Sequence, residues 1–175
     1  GYNAGYSVST GVQNVLVGGL AGDALTDADF NTAIGVTALG GDTRGSKSTA
    51  IGYSTLVNQN FTTATDSFNT AVGFEAGQSV TTGTENTLIG GLAGDAITTG
   101  SDNVAVGLSA LSTETLGSGS VAIGKSALLT ANQTTAVTSF NVGIGRSAGR
   151  FITTGIQNTI IGGLAGDALT TSSDN

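Results

Sequence analysis

The chain has 175 residues, 29 of them Gly, with no Cys, Pro, Met, Trp or His and a formal charge of −7. Without His or Cys, Ser-His-Asp and Cys-His nucleophile systems are excluded, as are imidazole and thiolate metal sites. The acidic balance argues against nucleic acid as a partner, and the lack of any apolar run long enough to cross a bilayer argues against membrane insertion.

A Gly preceded by Val or Ile recurs at Gly18, Gly35, Gly52, Gly73, Gly90, Gly107, Gly124, Gly145 and Gly162, with Gly1 in the same phase. Successive gaps are 17, 17, 17, 21, 17, 17, 17, 21 and 17 residues. A fixed period of this kind predicts a repeat architecture. Counted from the fourth residue before each Gly, coils open at Asn14, Asn31, Ser48, Asn69, Asn86, Asn103, Ser120, Asn141 and Asn158, and Asn175 opens one more. The second residue of a coil is Thr or Val and the third is mostly Ala. The fourth is always Val or Ile: Val17, Ile34, Ile51, Val72, Ile89, Val106, Ile123, Ile144 and Ile161. Alternation this short, closed by Gly and rich in β-branched residues, predicts a short strand.

Two further apolar positions follow in each coil. The eighth residue is Ala except at Thr55, and Leu often comes next, as at Leu39, Leu111 and Leu128. The twelfth carries Leu25, Val80, Ile97, Ile152 and Leu169 but fails at Asp42 and Glu114, where the coil must turn differently. Gly11, Gly83, Gly100 and Gly155 close polar corners and are expected to take positive φ. One coil cannot bury its own apolar face, so the coils must stack at about 4.8 Å. The predicted fold is all-β: a parallel β-solenoid, or β-roll, of 17- and 21-residue coils. The fourth residue is expected to fill its interior and the Ala row, with Leu16, Leu88 and Ile160, to face outward; the alternative is that this row packs inside a flattened coil. On the first reading a charge at Ile51 or Ile123 breaks the stack.

The coils are grouped. Gly-Leu-Ala-Gly-Asp-Ala-Leu at 19–25 returns at 91–97, with Ile for the last Leu, and again at 163–169, an offset of 72 residues each time. The four-residue insertions fall near 58–67 and 130–139, and both end in Phe, at Phe68 and Phe140. The expected organisation is one array over 1–175: a partial unit at 1–13, units at 14–85 and 86–157, and a partial unit at 158–175. With no polar capping coil at either end, the array is expected to be a window of a longer fibre.

The strings at Asn31–Leu39, Asn103–Leu111 and Ser120–Leu128 resemble the head repeats of YadA-type trimeric autotransporter adhesins and the NTAIGxxAL-type repeats of phage tail fibres. The coils here are longer than the typical bacterial head repeat, and Gly22, Gly94 and Gly166 stand where it has Leu. Both departures favour the fibre type. The resemblance implies a homotrimeric, rod-like, surface-exposed adhesive fibre, extracellular on a virion or a bacterial cell. The outward apolar row independently predicts contacts among identical chains.

No catalytic, cofactor-binding or metal-binding residue is nominated, and no cofactor is expected. The Asn at seven of the nine coil starts predicts a structural amide ladder. Gly-Gly-Leu-Ala-Gly-Asp is similar to a calcium nonapeptide, but its second Gly is displaced. The counterparts of Asp27 and Asp29 one unit later are Thr99 and Ser101, so Asp23, Asp95 and Asp167 are expected to be turn residues. Asn60-Phe61-Thr62 and Asn132-Gln133-Thr134 are sequons in the inserted loops. No Thr-x-Thr strand recurs as an ice-binding row would require. Glu75, Glu85 and Glu114 do not nominate a glycosidase pair, and Arg44, Lys47, Lys125, Arg146 and Arg150 share no single row. The expected function is therefore a structural or adhesive segment, shaft or head of a phage tail fibre, with a host-surface glycan or protein as receptor. The alternatives are a trimeric autotransporter-like adhesin and, distantly, a polysaccharide-acting solenoid enzyme.

Overall fold

The computed structural model describes Gly1–Asn175, the whole chain. Its strands are short: β1 (Val15–Val17), β2 (Thr32–Ile34), β3 (Gly45–Ser46), β4 (Thr49–Ile51), β5 (Thr65–Asp66), β6 (Thr70–Val72), β7 (Thr87–Ile89), β8 (Val104–Val106), β9 (Val121–Ile123), β10 (Val142–Ile144) and β11 (Thr159–Ile161). Nine of them form one parallel sheet in the order β1-β2-β4-β6-β7-β8-β9-β10-β11, so chain order is spatial order and each turn lies on the one before. The fold is an all-β parallel solenoid of about nine turns, without a helix. In the first pairing Val15, Leu16 and Val17 lie opposite Thr32, Ala33 and Ile34, and equivalent coil positions stay opposite one another along the whole sheet. β3 and β5 make a small second sheet at the first inserted loop, and a single bridge between Ser118 and Thr138 marks the corresponding place one unit later.

The expected interior row is inverted. Ala33, Ala50, Ala71, Leu88, Ala105 and Ala122 are fully buried, whereas Val17 is 54% exposed, Ile34 37% and Ile161 67%. Ile51 and Ile123 are therefore half-exposed, and a charge there does not enter the core. The reason is volume. Inside each coil the third, ninth and twelfth residues meet across a narrow space, and only one or two of them can be large. Where the third is Leu16, Leu88 or Ile160, the ninth is Gly22, Gly94 or Gly166, and a Cβ on any of these would press into that side chain. Where the third is Ala33 or Ala105, the ninth is Leu39 or Leu111, fully buried. The coils of Gly77 and Gly149 supply neither, and neighbours reach in: Leu56 and Leu88 close over Gly77, Leu128 and Ile160 over Gly149. Close packing of this kind tolerates no extra methyl group.

The twelfth-residue column is interior as expected, with Leu25, Val80, Ile97 and Ile152 fully buried. Asp42 and Glu114 are also fully buried, and each carboxylate closes its corner by accepting backbone N–H bonds.

The corners rely on left-handed backbone. The glycines that end the strands hold φ between 126° and 141°, a region open only to Gly, and on all but Gly162 a Cβ would meet the carbonyl of the next coil's Gly. By contrast Gly11, Gly83, Gly100 and Gly155 do not have positive φ, contrary to expectation. They are glycines because a Cβ would run into a carbonyl oxygen of the following coil, at Ala28, Gly100, Gly117 and Ser172 respectively. Non-glycine residues also turn left-handed in columns: Phe30, Lys47, Phe68, Glu85, Asp102, Phe140 and Gln157 all have φ between 50° and 63°. Each such residue costs about 1–2 kcal/mol. Main-chain bonds between coils hold them, as from Glu85 N to Ser67 O and from Gln157 N to Ser139 O, both 2.7 Å.

Candidate functional site

The strongest surface feature is the outer face of the nine-stranded sheet. On every strand the two outward residues are Val, Ile or Thr, a pattern without exception from Val15 and Val17 to Thr159 and Ile161. β-Branched side chains suit such a face because their restricted χ1 packs well across a pleated surface. The inner row of this face runs unbroken from Val17 through Ile34, Ile51, Val72, Ile89, Val106, Ile123 and Ile144 to Ile161. Beside it lies a second exposed column containing Val36, Tyr53, Phe74 and Leu108. Tyr53 and Phe74 stack with ring centroids 5.4 Å apart and planes 10° from parallel. Together they make an apolar stripe along the length of the sheet. Reading β-branched residues as interior concealed it. The signal that locates it was present, in the exchange of bulk between Leu16 and Gly22, Leu88 and Gly94, Ile160 and Gly166.

The asparagine ladder forms, mostly between side chain and backbone. Asn31 N donates to Asn14 Oδ1, Asn86 N to Asn69 Oδ1, Asn103 N to Asn86 Oδ1 and Asn158 N to Asn141 Oδ1, at 2.9–3.1 Å. Each Nδ2 donates across its own coil to a corner carbonyl, as from Asn31 to Gly45 O and from Asn103 to Gly117 O. One side chain thus couples two coils and braces a corner. Amide-to-amide bonds occur as well, from Asn86 to Asn69 and from Asn158 to Asn141.

The acidic candidates are separated by their contacts. Asp27 accepts from Thr26 Oγ1 and lies 3.5 Å from Arg44, while Asp29 accepts the Val12 amide at 2.7 Å. No three carboxylates converge as a metal cluster. At Asp95, burial raises the carboxyl above its ordinary range, one backbone N–H bond offsets part of that, and the Glu75 charge adds to the rise. Of the basic residues, Lys47 pairs with Asp66 at 2.6 Å and lies over the Phe68 ring, and Arg150 lies over Phe151. Lys125 and Arg146 stand on adjacent coils, and Ser147 N donates to Lys125 O beside them.

Asn60 and Asn132, the sequon residues, are exposed, and each Oδ1 accepts a threonine hydroxyl, from Thr43 and Thr115. Glu75 and Glu114 are brought to no common cleft, and no pocket indents the surface. No helix is long and apolar enough to cross a membrane. Compared with known proteins, the chain matches no family model, no curated protein and no solved structure.

Proposed function

We propose that the chain is a structural and adhesive fibre segment, the shaft or head of a phage tail fibre that attaches to a host surface, and that it is not an enzyme. Three parallel chains associate through the outer faces of their sheets, and the 17- and 21-residue coils in 72-residue units repeat along an extracellular rod. The observation that carries this reading is the unbroken Val and Ile row from Val17 to Ile161, which a lone solenoid leaves in water. Three copies around one axis bury it, and closed symmetry gives every chain the same contact. The inserted loops then recur along the rod, offering many weak contacts to a glycan or protein receptor whose sum is strong.

Native mass measurement tests the assembly. Three chains per particle are expected, and a double change of Ile34→Lys and Ile89→Lys should give single chains that keep their β-sheet circular dichroism. A wild-type chain that is single at all concentrations overturns the proposal. A trimeric autotransporter-like adhesin is the second reading, favoured by the same strings at Asn31–Leu39 and Ser120–Leu128. A membrane-anchor barrel in the same gene product would select it, and a virion-attachment domain would select the fibre.

A further inference from the structure

The two buried corners that follow Asp42 and Glu114 are built on the same plan, one unit apart, but are completed differently. In the first, Asp42 Oδ1 accepts from Gly45 N and Phe61 N. Its Oδ2 accepts from Gln59 Nε2 at 2.6 Å, and the same Nε2 lies 2.8 Å from Ser48 Oγ. Gln59 Oε1 accepts from Asn69 Nδ2 at 2.8 Å, and the Ser48 hydroxyl pairs with that of Ser67. Every polar atom of this corner has a partner. In the second, Glu114 Oε1 accepts from the counterpart amides, Gly117 N and Gln133 N. Ser120 and Ser139 stand where Ser48 and Ser67 stood, but Ala131 replaces Gln59.

The consequence is local and specific. Glu114 Oε2, Ser120 Oγ, Ser139 Oγ and Gln133 Nε2 are all buried without a hydrogen-bond partner, and only Asp95 Oδ1 elsewhere in the chain shares that condition. Asn141 Nδ2, the counterpart of Asn69, donates to Gly155 O and to no side chain here. Buried polar groups are almost always satisfied, and an unpartnered one costs about 1–3 kcal/mol. Four in one corner therefore point to a partner that is not part of the chain.

We infer that this corner is a binding site for ordered water, which takes the place of the Gln59 amide. The required occupant must donate to a carboxylate oxygen and to a serine hydroxyl, and accept from an amide or a second hydroxyl. Water does this with two donors and two acceptor sites. The geometry allows it. Glu114 Oε2 and Ser139 Oγ lie 2.6 and 2.7 Å from the place a Cβ on Gly117 would take, so both fall within the about 5.6 Å that one water spans. Ala131 is 1% exposed, so the site is closed to bulk solvent and exchange needs the corner to open.

A crystal structure at a resolution that orders internal water decides the question, on the wild type and on two variants. The wild type should show a peak within hydrogen-bond distance of Glu114 Oε2 and Ser139 Oγ. Gln59→Ala should gain a matching peak beside Asp42. The double variant Glu114→Asp/Ala131→Gln should lose the peak at the second corner to the introduced amide. A dry corner in the wild type, with Ser139 or Gln133 rotated onto Glu114, overturns the proposal. A peak that exchanges for rubidium in anomalous maps overturns it too, because the occupant is then an alkali cation.

Discussion

Ala33 and Ile34 are neighbours on one strand, yet Ala33 is fully buried while 37% of Ile34 meets solvent. The same holds at Ala105 beside Val106 and at Ala122 beside Ile123. The smaller residue faces inward because the opposite wall delivers a leucine, at Leu39, Leu111 and Leu128, into a space one side chain deep. The larger, β-branched residue faces outward, where width across the sheet is an advantage. The difference teaches that in a thin coil the inside is chosen by volume and the outside by backbone preference. Average burial tendencies, which place Ile inside, do not decide it.

The sharpest way to break that comparison is a charge on either face. Ala105→Asp should cost about 3–5 kcal/mol by chemical denaturation, because the carboxylate is buried without a partner. Val106→Asp, one residue on, should cost less than about 1 kcal/mol in single chains. Equal losses at both positions would refute the inner and outer assignment.

Next in size, Gly94→Leu should cost about 3 kcal/mol, since the new side chain meets Leu88 and Ile97. Adding Leu88→Ala and Ile97→Ala should restore much of the loss, because the coil then follows the plan of Ala122, Leu128 and Ala131. A triple variant that melts no higher than Gly94→Leu alone would show that volume is not conserved across these positions.

Asn86→Ala should cost about 1–3 kcal/mol. It removes the acceptor of Asn103 N and the donor to Gly100 O. Hydrogen exchange at the Asn103 amide should quicken more than at Val104, whose N–H bonds to Ser120 O and is untouched.

The smallest effect is at Asp95. Its folded pKa is raised, first by burial and then by the Glu75 charge, so the stability it contributes is present at low pH and lost as pH rises through the folded value. Asp95→Asn should therefore raise Tm at pH 7 and leave it unchanged near pH 3. A difference of the opposite sign, or one that persists at pH 3, would contradict the assigned cause.

Much of this fold was legible. The Gly beat, the Asn starts and the twelfth-residue column are direct marks of stacking, because each must recur wherever one coil lies on the next. The orientation of the strand was harder. Two adjacent apolar rows look alike in a sequence, and the residues that tell them apart, such as Leu88 and Gly94, are six positions away. At Gly83 and Gly100 the sequence marks a corner but not its cause, since steric approach of a neighbouring coil selects the same residue as a positive φ does. The water corner rests on one exchange, Gln59 against Ala131, which means little until Asp42 and Ser48 are known to face it.

The asparagine bonds all run one way: a later coil's N–H reaches back to an earlier coil's Oδ1. The rod is therefore an arrow. Any two coils can join only tip to tail, and chains laid side by side match their columns only when all of them point in the same direction.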